Sequence, residues 1–145
     1  MTPPSLSLAD SFARAGYTVV APDLFGGSPA PGDINVPGFN TTAFLGKHGV
    51  EQTEPLVAKG INFMRTTLGL KRIGATGYCF GGKYSFRAVG GRGADVGFAA
   101  HPSLLEDAEI SAVKGAIGVA AAGEFHLNCV SASAAWVVQL GDAVS

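Results

Sequence analysis

The run Ile73-Gly74-Ala75-Thr76-Gly77-Tyr78-Cys79-Phe80-Gly81-Gly82 carries the residue types best suited to covalent chemistry in this chain. It reads as a buried strand, a tight turn bearing a thiol, and a helix start. Gly77-x-Cys79-x-Gly81 has the spacing of a nucleophile elbow, with Cys where Ser is more common. The turn is sharp, and a side chain at Gly77 or Gly81 is expected to collide with the neighbouring strand or helix. Such a turn leaves the thiol at the C-terminal end of a strand, where open α/β sheets keep their sites. The chemistry this arrangement suits is nucleophilic attack on an acyl carbon.

The elements that must position the thiol follow from pattern. Ser5 to Ala15 reads as a helix, with Leu8 and Phe12 on one face and Gly16 as its C-cap. Tyr17 to Pro22 is β-branched and short, a buried strand closed by Pro22. Asp23 to Gly49 is rich in Gly, Pro and Asn without a period, and reads as a long loop. In Glu51 to Leu68, Val57, Ile61, Met64 and Leu68 make one apolar stripe, so a helix is expected, ended by Gly69. Arg72 to Gly77 is the second strand and Gly81 to Val89 the helix after the elbow. Ala94 to Ala100 is a third strand, Leu104 to Val113 a short helix, and Gly115 to Ala122 a fourth strand. Strands alternating with helices argue for an α/β fold with a parallel sheet. From Phe125 to Ser145 the rhythm breaks, leaving an apolar patch at Ala134 to Val138 without period or cap.

Composition narrows the function. At 145 residues the chain is one domain or part of one. Hydrophobic residues make up 47% and charged residues 14%, which suits a packed core rather than disorder. The net charge is −1 and the 10 Lys and Arg are scattered, so no nucleic-acid partner is expected. Cys79 and Cys129 offer neither a disulfide framework nor a zinc spacing, and a reduced, cytoplasmic setting is the expected one. Met1 to Ser11 lacks the pattern of a secretory signal, and no apolar run approaches the ~20 residues of a membrane helix. No metal and no cofactor is implied.

Several segments, taken in order, resemble the dienelactone hydrolase family of the α/β-hydrolase superfamily. They are Ala9-Asp10-x-Phe12-Ala13 with Gly16-Tyr17-Thr18-Val19, Ala21-Pro22-Asp23-Leu24-Phe25, and Gly77-Tyr78-Cys79-Phe80-Gly81-Gly82-Lys83. Ala100-His101-Pro102-Ser103 and Lys114-Gly115 to Glu124 complete the set. The likeness runs from about residue 8 to Glu124. It implies an α/β-hydrolase-like three-layer sandwich and a Cys-His-Asp triad that opens a small lactone or ester, as a carboxymethylenebutenolidase does. Cys79 is then the nucleophile and the backbone N–H of Phe80 one oxyanion donor, with Gly77, Gly81 and Gly82 shaping the elbow. A thiol attacks slowly unless a nearby base or positive end lowers its pKa, and the helix start at Gly81 supplies part of that.

The chain also departs from that pattern. Where the resemblance implies a Glu-x-Asp string, the sequence reads Glu124-Phe125-His126, which puts His126 in the place of the acid. No His-Gly-Phe string carries the base. Strands expected upstream of Ser5 have no counterpart, and one of them belongs between the strands at Tyr17–Pro22 and Arg72–Gly77. The sequence therefore predicts about four strands with a gap in mid-sheet, in a truncated or mis-spliced product impaired in turnover. Residues 1–124 are expected to form the partial family domain and residues 125–145 a divergent tail. A non-catalytic remnant, associating through exposed sheet edges, is the alternative.

Other residues compete for the site. His126 could replace the base or be a surface-loop histidine. His101 follows a strand end on the side of the site, and could touch substrate or simply shape a turn set by Pro102. Glu124 is the one carboxylate near the acid position, with a structural role the plainer reading. His48 is read as a solvated loop histidine, Cys129 as an incidental thiol, and the glycines at 26–27 and 90–93 as turns rather than phosphate loops.

Overall fold

In a computed structural model, the described residues are 3–33, 35–121 and 134–139. Helix α1 (Pro3–Arg14) leads into the two-residue strand β1 (Val19–Val20). The segment after it is not a loop throughout. Helix α2 (Thr41–Lys47) forms within it, capped by the Asn40 side chain, which accepts from the N–H of Ala43. Short helices with few apolar repeats leave a weak sequence period, which is why composition alone suggested a loop.

Helix α3 (Val50–Asn62) continues into a wider turn at Phe63–Thr67. Val57, Ile61 and Met64 bury the stripe that the sequence predicted, whereas Leu68 stays exposed beyond the helix end. Strand β2 (Ile73–Tyr78), helix α4 (Phe80–Arg87), strand β3 (Val96–Ala100), helix α5 (Asp107–Ser111) and strand β4 (Ala116–Ala120) follow in the expected order. Helix α5 is shorter than predicted because the backbone is left-handed at Leu104 (φ 56°) and extended at Glu106. No helix among the described residues is long and apolar enough to cross a membrane.

Strands β2, β3 and β4 are parallel neighbours in register Gly74–Val96 and Val96–Ala116. The alternating elements thus form the α/β fold with a parallel sheet that their order implied. The sheet differs from expectation in one place. A fifth strand, β5 (Ala134–Gln139), lies between β1 and β2 and pairs antiparallel with both. The predicted mid-sheet gap and the count of about four strands are corrected accordingly. The physical reason is the one that made the gap costly. Unpaired N–H and C=O groups along β2 are satisfied by whichever extended apolar segment reaches them. Because β5 runs against both neighbours, β1 and β2 still point the same way.

The core lies on the α3–α4 side of the sheet. Leu24, Phe25, Val57, Ile61, Met64, Ile73, Phe80 and Tyr84 pack there. Arg65 closes its lower end, donating to the carbonyls of Leu70, Lys71 and Gly93 and pairing with Asp95 at 2.8 Å. Asp95 in turn accepts from the N–H of Ile73 at 2.7 Å, which joins the starts of β2 and β3. The other face of β3 is less covered, and the three-layer arrangement is thin there: Phe98 is 41% exposed.

Candidate active site

Cys79 follows the last residue of β2 and precedes the first residue of α4. Its φ of 52° and ψ of −118° are strained for a residue with a side chain, and this is the sharp strand-to-helix turn that the glycine spacing predicted. The reason for glycine at 77 is direct. A Cβ there would lie 2.1 Å from the carbonyl oxygen of Gly81 and 2.6 Å from Ser85 Oγ. Gly82 meets a different neighbour, since a Cβ would lie 2.8 Å from Cα and Cβ of Pro102. Gly81 is buried in the first turn of α4, and its carbonyl is the obstacle at Gly77.

The elbow is tied to the end of β3. The N–H of Cys79 donates to the carbonyl of Ala100 at 3.1 Å, and the N–H of Gly82 to the carbonyl of Cys79 at 3.0 Å. The thiol is reduced and fully buried at 0% exposure. Phe80 turns its ring into the core against Phe25, at 5.4 Å between centroids, and Tyr84, at 5.2 Å. Its N–H belongs to the first turn of α4, where backbone donors have no partner within the helix.

Ser103 is the residue that sequence reasoning missed. Its N–H donates to the Cys79 carbonyl at 3.1 Å, and its hydroxyl lies 3.6 Å from the thiol sulfur. The sequence carried a signal for it, the His101-Pro102-Ser103 string just after a strand end. Nothing local says that this turn folds back onto the elbow. His101 begins that turn with a left-handed backbone (φ 36°), donates its N–H to Ala120 at 2.7 Å, and exposes its ring near that of Tyr78. Glu124, His126 and Cys129 lie outside the described residues.

A charge network fastens the same turn from below. Lys83, almost wholly buried, donates to the Leu104 carbonyl at 2.9 Å and pairs with Glu106 at 3.0 Å and Glu109 at 3.3 Å. The hydrogen bond and charge of Lys83 hold the Glu106 carboxyl below its ordinary range. Arg87 pairs with Glu109 and Glu54, both at 2.7 Å, so α3, α4 and α5 share one set of ion pairs. Burial pushes the Glu54 carboxyl up, but hydrogen bonds and charge from Arg87 and Arg92 outweigh it and leave the group lowered.

His48 is not the solvated histidine that its loop suggested. It is half-buried, with its ring 4.4 Å from that of Phe44 and 5.1 Å from that of Phe25. Burial lowers its pKa, Lys47 adds to that, and Asp23 opposes. The cluster runs on through Phe25 to Phe80, the residue after the nucleophile position. The glycines at 26 and 27 form a turn in which Asp23 accepts from the N–H groups of Phe25 and Gly27, not a phosphate cradle. Among the described residues no group of three or more His, Cys, Asp or Glu is placed to hold a metal ion.

Comparison with known proteins gives this geometry a context. The model of the dienelactone hydrolase family matches residues 5–132. Hydrolase pyvD of Aspergillus violaceofuscus is 43% identical over 120 residues, 83% of this chain and 49% of its own length. Hydrolase tropI of Talaromyces stipitatus is 39% identical over 127 residues, 83% of this chain and 50% of its own length. The chain thus spans about half the length of the curated relatives it matches. No solved structure matches it at comparable stringency.

Proposed function

Because the chain belongs to the dienelactone hydrolase family, we propose that it carries the nucleophile half of a hydrolase site acting on a small lactone or ester. The reading rests on Cys79, held with positive φ between a strand and a helix that only glycine at 77 allows to meet. As thiolate, Cys79 adds to the acyl carbon. The oxyanion that develops faces the N–H of Phe80. Collapse breaks the acyl C–O bond, releases the alkoxide or enolate oxygen, and leaves a thioester. Water then cleaves the thioester and restores the thiol. The base that takes the first proton comes from His101, Glu124 or His126. Turnover is reduced relative to a family member with a full triad, since His126 stands where the Asp is expected. Residues 1–124 form the family-type domain and residues 125–145 the divergent segment, with 134–139 recruited into its sheet. The setting is cytoplasmic, on cysteine usage alone.

The purified chain, assayed with p-nitrophenyl acetate and with a dienelactone beside its Cys79→Ala variant, tests this. The expected result is release at least about tenfold above the variant. Equal rates in the two proteins would end the hydrolase reading for this chain.

A second reading has its own observation. β4 is one of the two edge strands of the described sheet, and Val119 on it is 49% exposed. An apolar edge of this kind favours association of copies. Light scattering on the chain and on Val119→Lys decides it: dimers that the charge disperses support association, and a monodisperse monomer in both removes it.

A further inference from the structure

The geometry points to Ser103 as the positioning residue of the thiol: its hydroxyl donates a hydrogen bond to the Cys79 sulfur and favours the thiolate. The inference rests on the reading of Cys79 as nucleophile and adds to it a partner that the elbow motif does not contain. Ser103 Oγ lies 3.6 Å from Cys79 Sγ, within reach of a hydrogen bond to sulfur, and both residues are buried. Either group could donate while the thiol is protonated. Once the sulfur is ionised only the hydroxyl can donate, so the contact strengthens on ionisation.

The hydroxyl is held in place by its surroundings. The Ser103 N–H bonds the Cys79 carbonyl, Pro102 abuts Gly82, and the next residue, Leu104, offers its carbonyl to buried Lys83. Strain collects at the same point. Among the described residues the non-glycine positions with positive φ are Cys79, His101 and Leu104, and all three border this contact. Strain of this kind persists where surrounding structure over-determines it and concentrates at functional sites. A plain connection from β3 to α5 needs neither His101 nor Leu104 in that conformation.

Among the described residues, the titratable groups on the elements that carry the elbow and its neighbouring turn include Tyr78 on β2, His101 at the end of β3, Lys83 and Tyr84 on α4, and Glu106 and Glu109 at the start of α5. Ser103→Ala leaves all of them unchanged and keeps the backbone hydrogen bond. A change in thiol titration then reports the hydroxyl itself.

The test is the ultraviolet absorbance of the thiolate across pH, taken as the difference between each protein and its Cys79→Ala counterpart so that Cys129 cancels. Ser103→Ala raises the wild-type midpoint by about one pH unit, roughly tenfold less thiolate at neutral pH, with an unchanged thermal melt. Ser103→Thr, which keeps the hydroxyl, stays near wild type. An unmoved midpoint in Ser103→Ala overturns the assignment. Should Ser103→Ala fail to fold, the threonine variant decides, a midpoint raised above that of wild type counting against the assignment. The titration needs no turnover. An unmoved midpoint with Cys79-dependent ester cleavage sinks only the role of Ser103, whereas a shifted midpoint without cleavage sinks only the hydrolase reading.

Discussion

Gly82 lies against Pro102 with no room for a side chain between them: a Cβ on Gly82 would come within 2.8 Å of both Cα and Cβ of Pro102. This contact presses the first turn of α4 onto the turn that delivers Ser103. Gly82→Ala is expected to lose about 1–2 kcal/mol, the clash outweighing the better helix propensity of alanine. Denaturant titration gives the number. A neutral or stabilised variant would show that the Pro102 turn yields freely.

Gly77→Ala is the harsher change. Its Cβ would meet the Gly81 carbonyl at 2.1 Å, and a backbone group inside a helix cannot step aside. A loss of about 3 kcal/mol or more is expected, enough to remove a cooperative melt in a marginal domain. A melt within a few degrees of wild type would mean the elbow adopts another path.

Ser85 offers the opposite outcome. Its hydroxyl is buried behind the elbow and has no hydrogen-bond partner among the described residues. Replacing it by alanine removes an unsatisfied polar group at the cost of one small atom. Ser85→Ala is expected to be neutral or to stabilise by up to about 1 kcal/mol. A marked loss in the melt would reveal a partner for the hydroxyl.

Arg87 and Arg92 both pair with Glu54, but in different surroundings. The side chain of Arg87 is 19% exposed and also holds nearly buried Glu109, whereas that of Arg92 is 56% exposed. Arg87→Ala is expected to cost about 2–3 kcal/mol, because it strips a partner from buried Glu109 and from half-buried Glu54. Arg92→Ala should cost under about 1 kcal/mol. Comparable losses from the two, by denaturant midpoint, would contradict an argument from burial.

His48 makes stability fall on the acid side of neutrality. Its folded pKa lies below the ordinary 6.5, because burial among aromatic rings and the charge of Lys47 disfavour the imidazolium. The unfolded chain therefore binds a proton first. Stability is fully present above about pH 6.5 and declines as pH falls towards the folded value. Glu54 and Asp95 extend the decline further into acid, since both are held below the ordinary 4.5 and 3.8. Denaturant midpoints at about pH 7.5 and 5.5 should differ in wild type. His48→Phe should narrow the difference, and an unchanged difference would clear His48.

The elbow was legible because it is local. Gly77, Cys79 and Gly81 are close in sequence, and the steric reason for glycine at 77, the Gly81 carbonyl, lies within one strand end and one helix turn. Helix α3 was legible for a similar reason, its stripe of Val57, Ile61 and Met64 being both the pattern and the buried face. The helix within the segment after β1 was not legible, because seven residues with one side-chain cap leave little period. The packing of His48 was missed because the rings of Phe25 and Phe44 that bury it come together only in three dimensions.

The sequence by itself determined the α/β class, the turn that presents Cys79 and the family the chain belongs to, since these depend on short-range spacing and on ordered motifs. Tertiary structure alone decided two things. One is that Ala134–Gln139 enters the sheet between β1 and β2, running against both, because an apolar segment carries no mark of which strand edge it will pair with. The other is that Ser103 meets Cys79 across 24 residues, because that depends on the register of β3 against β2 and on the strained turn that follows.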